Sequence, residues 1–298
     1  MKKLAKAAAA LSAILLLFAL LVGAILRIFT DKIWVEEEYK RIGIEAQSGF
    51  TAHEAAYVLG RMMDYSVGSF DGLDEVTFTE NGESVRFFNE SELSHMVDVR
   101  ALTTTVLKLG LAALIIGFAL FALAFVLLRL AGLKAFAKAF LIALGVLLVV
   151  IAALGVWMAV DFNSFWAAFH VVFLDLESST FDPAVSRMIR ICPAELFSDF
   201  IKHFALIAGL GLILPVGLSV FFLCIKRDNG FGRKLLPFCL ISAGLCAFLA
   251  RLLTGMNAFW IVSAVLLICG AVSVAVLRAA KTREELLSNQ ARGEADNG

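Results

Sequence analysis

Six runs of uncharged, apolar residues constrain this chain more than anything else in it: residues 7–26, 109–128, 139–160, 204–225, 235–250 and 258–277. About 20 such residues in helical form cross the hydrocarbon core of a bilayer, since a helix satisfies its own backbone N–H and C=O groups where no water can. The fifth run is short and reaches residue 254 if Arg251 snorkels to the interface. With 60% hydrophobic and 17% charged residues in a chain of 298, no soluble class fits. The expected fold is an all-α polytopic membrane protein with six transmembrane helices.

Charge placement orients those spans. Lys2, Lys3 and Lys6 precede the first; Arg129, Lys134 and Lys138 join the second to the third; Lys226, Arg227, Arg233 and Lys234 join the fourth to the fifth; Arg278, Lys281 and Arg283 follow the sixth. Basic residues stay on the cytoplasmic side, so both termini are expected there. Residues 30–108 then lie outside, with 15 Asp and Glu against 7 Lys and Arg. The formal net charge is zero, and no basic surface argues for nucleic acid. Three lysines before an apolar stretch also resemble a signal peptide, but 20 uncharged residues exceed the usual length of that segment and imply an uncleaved span. Cys224, Cys239, Cys246 and Cys269 fall within spans, which leaves Cys192 alone outside, without a disulfide partner or a metal-binding spacing.

The organisation that follows is a first span within residues 1–29, an extracytoplasmic segment 30–108, spans two and three within 109–160, a second extracytoplasmic segment 161–203, spans four to six within 204–280, and a cytoplasmic tail 281–298. The two external segments are expected to form a small α+β cap, the natural place for function. The first opens with Trp34, placed as an interface anchor, and continues with a helical pattern, HEAAYVLGRMMDYS, in which Ala56, Leu59 and Met63 recur near a 3.6-residue period. Val76 to Phe78 and Val85 to Phe87 alternate around Asn81-Gly82, a hairpin signal. Asn89 followed by Glu92, with Phe88 and Leu93 flanking, is a capping box with a hydrophobic staple. In the second segment Phe162, Phe165, Trp166, Phe169 and Phe173 make the aromatic face of an amphipathic helix continuing out of the third span.

Two histidines sit on these external segments at similar reach from the membrane. His170 lies 10 residues past residue 160, about 15 Å along a helix, and His95 lies 6 to 14 residues before the second span, about 9 to 21 Å. Imidazoles trade protons near neutral pH, so the pair is the candidate catalytic centre, with Asp98 three residues after His95 as its orienting group. Glu92 is three residues before it on the same face. His53 and His203 read as ordinary interfacial side chains, and Glu36, Glu37 and Glu38 as a solvated charge run. Zinc held by both histidines with Asp98 or Asp175 is the rival reading. The chain has no HExxH string, since Ala55, Ala56 and Tyr57 follow His53-Glu54, and no metal or other cofactor is expected.

YVLGRMMDYS, FFNESELSHMVDVR and FHVVFLDLESSTFDPAVSRMIRICPAELF resemble three signatures of a family of bacterial integral membrane proteins, the lipoprotein intramolecular transacylases. The resemblance covers roughly residues 1–226. It departs from the pattern where Asp175 to Thr180 replace an Asn-Asp-x-Trp string and where Val185-Ser186 replace Thr-Asp. The resemblance implies an enzyme that moves an acyl chain from the diacylglyceryl group of a lipoprotein to the α-amino group of its N-terminal cysteine, with the family histidines at His95 and His170. The expected partners are membrane lipid and the diacylglyceryl lipoprotein, in the bacterial cytoplasmic membrane with the active face outside. Aminolysis of an ester needs a base for the amine proton and an acid for the departing alkoxide, roles open to either histidine. Arg100 is the expected substrate contact at the developing oxyanion, and Trp166, Phe169 and Phe173 are expected along the acyl chain. The alternative from another class is a non-catalytic scaffold, sensor or lipid-binding protein, which needs neither histidine.

Overall fold

The computed structural model describes residues 2–80, 82–173 and 181–224. Four helices among them are long and apolar enough to cross a membrane: α1 (Lys2–Phe29), α5 (Glu90–Leu128), α6 (Leu130–Val160) and α9 (Ala194–Cys224). The runs expected as spans five and six lie outside the described residues. Between the long helices come α2 (Lys32–Ile42), α3 (Ile44–Ser48), α4 (Ala52–Ser66), strands β1 (Thr77–Glu80) and β2 (Glu83–Arg86), α7 (Phe162–Phe173) and α8 (Arg187–Ile191).

α1 is the centre of the bundle and packs on α5, α6 and α9. Between lipid-soaked helices the gain comes from close approach rather than from expelling water, so small residues belong at the seam. Gly110, Ala113, Gly117 and Ala124 on α5 are buried at helical spacing, and Gly110 and Gly117 face Val22, Leu16 and Ser12 of α1. The Ser12 hydroxyl donates to the Gly117 carbonyl at 2.9 Å. A Cβ on Gly110 would overlap the Val22 side chain, and one on Gly117 would stand 2.9 Å from Leu16. Gly110→Leu should therefore force α1 and α5 apart and lower the melting temperature in detergent by several degrees, as overpacking costs about 1–3 kcal/mol. Gly145→Leu is the control, because nothing lies within 4 Å of a Cβ there; equal melting temperatures for the two variants would refute the seam.

The spans differ at their ends from the sequence reading. The expected linker between spans two and three shrinks to Arg129, whose φ of 53° makes the turn, and Lys134 and Lys138 fall on α6. The amphipathic helix is not a continuation of α6: the chain breaks at Asp161 (φ −151°, ψ 87°), whose carboxylate accepts the Ser164 N–H at 3.0 Å and so starts α7 afresh. α5 is 39 residues, about 58 Å, far more than a bilayer core of about 30 Å, so its first turns stand beyond the apolar stretch.

Those turns, α2–α4, the hairpin and α8 gather where α1 ends and α9 begins, around a core that includes Val35, Tyr39, Leu59, Met63, Phe87, Met96, Ile191 and Leu196. Local signals built each piece. Thr51 and Glu54 form a capping box that starts α4. Phe78 pairs with Val85 across the antiparallel strands, and Gly82 supplies a φ of 84° at the turn. Asn89 and Glu92 cap α5, with Phe88 and Leu93 in the core beside them. The Glu36–Glu38 run is not uniformly solvated. Glu38 is buried and pairs with Arg41 at 2.6 Å, while Arg41 also pairs with Asp199 of α9. The Tyr39 hydroxyl donates to the Ile191 carbonyl.

Candidate active site

α5 and α7 bring His95 and His170 together. Their ring centroids are 6.1 Å apart with planes 21° from parallel, and each residue is 8% exposed. That spacing suits one bridging water or a reacting group. His170 Nδ1 lies 2.8 Å from the Trp166 carbonyl oxygen one turn back, so it donates there. In a neutral ring the lone pair then sits on Nε2, which makes His170 a base with a fixed tautomer. His95 Nδ1 is buried and meets no hydrogen-bond partner among the described residues. Burial pushes His95 below the ordinary imidazole value; the neighbouring His170 pushes the same way and the Asp98 carboxylate opposes them. His95 therefore takes a proton less readily than a free imidazole does.

Both rings line a cavity of about 500 Å³. Its wall is apolar: Ile25, Ile28 and Phe29 from α1, Leu59, Met62 and Met63 from α4, Met96, Val99 and Leu102 from α5, and Phe197, Phe200, Ile201 and Phe204 from α9. Trp166 and Phe169 complete one side, with Trp166 against Phe197 at 4.3 Å. Phe173 packs tilted against Phe169 at 5.1 Å, outside the lining, and is exposed. A space of this size and polarity suits a hydrocarbon chain ending at the imidazoles.

The other expected site residues are placed elsewhere. Arg100 pairs with Asp71 at 2.6 Å and lies over the Tyr65 ring, away from the cavity lining. Asp98 is half-buried and acts on His95 through its charge, without lining the cavity. His53 is exposed beside Glu36, and His203 stacks on Trp34 at 4.3 Å with Asp31 at 3.3 Å. Asp175 lies outside the described residues. Among the described residues no group of three or more metal-ligating side chains gathers.

Sequence reasoning missed the segment of residues 181–192, which crosses beside His95. Phe181 meets His95 edge-on at 5.4 Å, and Phe181, Met188, Ile189 and Cys192 all line the cavity. Burial pushes the Cys192 thiol up to about 12, so it stays a neutral wall atom. Glu92, 1% exposed, holds the segment at its middle, beside the Tyr39 hydroxyl on the Ile191 carbonyl and the Arg187–Glu80 pair at 3.0 Å: one Glu92 oxygen accepts the Asn89 N–H at 2.8 Å, the other the Ser186 hydroxyl at 2.5 Å and the Met188 N–H at 3.0 Å. Three donors offset the several kcal/mol that burying a carboxylate costs. The capping box announced the first bond; no sequence signal announced partners more than ninety residues away.

The sequence profile of the family described as lipoprotein intramolecular transacylase Lit matches residues 10–197, which include both histidines and the segment beside them. The chain belongs to this family. Among solved structures it is similar to the membrane-integral lipoprotein intramolecular transacylase Lit from Bacillus cereus, at 18% identity over 74% of this chain and 95% of that chain, with a TM-score of 0.58. Two variants of that protein with one histidine replaced, by arginine or by alanine, superpose with TM-scores of 0.54 and 0.55 at 20% and 17% identity, each over 74% of this chain and 92% or 93% of theirs. At such identities the likeness speaks for the fold. No curated protein sequence matches the chain. Family and apolar helices together make this a multi-pass membrane protein with a lipoprotein transacylase-like role.

Proposed function

We propose that the protein moves one acyl chain from the diacylglyceryl group of a lipoprotein to the α-amino group of the same N-terminal cysteine. The observation that carries this reading is the pair of buried imidazoles, 6.1 Å apart, on the wall of an apolar cavity of about 500 Å³. The cysteine amine attacks the ester carbonyl and a C–N bond forms. His170 Nε2 takes the amine proton, the C–O bond to glycerol breaks, and the proton reaches the departing oxygen through His95. The products are an amide and a free glycerol hydroxyl, and the histidine pair ends as it began. A terminal amine with a pKa of about 7.7 to 8 is already partly neutral at physiological pH, so an imidazole is base enough.

The site belongs on the outer face of the bacterial cytoplasmic membrane, with both termini inside, because the basic residues flank the opposite ends of the spans. Incubating the purified protein in detergent with a diacylglyceryl lipoprotein tests the chemistry. Mass spectrometry of the lipoprotein N-terminus should show an N-acyl cysteine with one chain left on glycerol. A substrate recovered unchanged would leave the non-catalytic lipid-binding reading in its place.

A further inference from the structure

We propose that Glu92 is a positioning residue that clamps residues 181–192 over the cavity and thereby makes the lipoprotein amine, rather than water, the acceptor of the acyl chain; this rests on the acyl-transfer reading above. The histidine pair alone cannot make that choice. An imidazole that takes a proton from an amine takes one equally from water, and water attacking the same carbonyl gives a free fatty acid while the glycerol oxygen leaves with the proton. Both routes balance, and both end with the same lyso-glyceryl group. The tethered amine is the better nucleophile and is held at high effective concentration, but every water molecule that reaches the carbonyl competes with it, so excluding water suppresses the hydrolytic route.

The exclusion is built from the segment that Glu92 holds. Phe181, Met188, Ile189 and Cys192 close the cavity wall beside His95, yet the only regular structure from 181 to 192 is the five-residue α8. Its inner side is fixed by the Ser186 hydroxyl and the Met188 N–H on Glu92. Its outer side rests on aromatic rings, Arg187 over Phe78 and Arg190 over Phe50. Glu92 lies about one turn before His95 on α5, so a single helical turn carries a reacting imidazole and the group that seals it. Glu92 is not in the cavity lining and its oxygens are occupied, which is why its part is positioning and not catalysis.

Ser186→Ala removes the donor to Glu92 together with the α8 cap on the Ile189 N–H, and leaves Glu92, the α5 capping box and both histidines in place. Ser186→Thr keeps the hydroxyl. Glu92→Gln keeps the shape but weakens the acceptor, and it leaves Ser186 able to cap α8 through Ile189. Two readouts apply to each full-length variant. The first is the ratio of free fatty acid to N-acyl product from a diacylglyceryl lipoprotein, expected to rise at least tenfold in Ser186→Ala and Glu92→Gln and to stay near wild type in Ser186→Thr. The second is alkylation of Cys192 by a small charged thiol reagent, read at that peptide by mass spectrometry and expected to quicken at least tenfold in the same two variants. An unchanged product ratio in variants that remain folded overturns the proposal, whether or not labelling changes; so does a Ser186→Thr variant that behaves like Ser186→Ala. Wild-type protein that makes no N-acyl product overturns the acyl-transfer reading instead, and Cys192 labelling still decides whether the clamp exists.

Discussion

His95→Ala and His170→Ala should each lower formation of the N-acyl product by at least two orders of magnitude while leaving the protein folded and membrane-inserted. A positioned acid or base contributes about 10²–10⁴ in rate, whereas one lost hydrogen bond such as that of His170 Nδ1 to the Trp166 carbonyl contributes only about 1 kcal/mol to stability. The two losses should be far from additive, because each histidine moves the same proton: the double variant should fall little below the worse single one. His53→Ala should be near neutral, since that side chain is 81% exposed beside Glu36. His203→Ala removes a ring stacked on Trp34 and should cost some thermal stability with the rate intact. Initial rates of N-acylation, with melting temperatures measured alongside, decide it. Either histidine variant retaining a tenth of the wild-type rate would refute the proton relay.

The features legible in the sequence were those whose causes are local. Apolar runs announce spans because a bilayer demands about 20 residues of them, and four of the six lie on described helices. The Asn89-Glu92 box and the Asn81-Gly82 turn were legible for the same reason: their partners are three residues away or directly across a strand pair. The two histidines were singled out by their distance from the spans, a one-dimensional measure that holds for His95 because α5 is one continuous helix, whereas the helix assumed for His170 breaks at Asp161. Partners set by tertiary packing were not legible. Nothing near Arg100 in sequence says that Asp71 and Tyr65 will hold it, and although the i,i+3 spacing announces the Glu38–Arg41 pair, nothing near it says that Asp199 will share Arg41. The break at Asp161 did carry a signal, an Asp three residues before Ser164, which a continuous aromatic periodicity concealed.

One departure from the family pattern acquires a physical meaning. Position 186 holds a serine where the resemblance expects an aspartate. A hydroxyl donates to the Glu92 carboxylate, whereas an ionised aspartate at that place would repel it unless the two shared a proton. In this chain the bond beside His95 is therefore made by a neutral donor.

The pH response of N-acylation should have two steps. The cysteine amine loses its neutral form below a pKa of about 7.7 to 8, so log kcat/KM should fall with slope one as pH drops from 8 toward 6. His95 is held below the ordinary imidazole value of about 6.5 by burial first and by His170 second, so it gives up its neutral form only at lower pH than a free imidazole does. Where pH falls through its lowered value His95 takes up a proton as well, and there the slope should steepen. The sign for stability is the same: the unfolded chain binds a proton at His95 more readily than the folded one, so this histidine stabilises the fold above its unfolded value and the contribution is lost as pH falls through both. Replacing Asp98 by Asn removes a charge that favours protonation of His95, and the steep limb should move to lower pH. The measurement is kcat/KM for N-acylation between pH 4.5 and 8.5 in wild type and Asp98→Asn. A flat or bell-shaped profile centred near pH 6 would mean that one histidine begins the reaction protonated, and the neutral-pair mechanism would have to be abandoned.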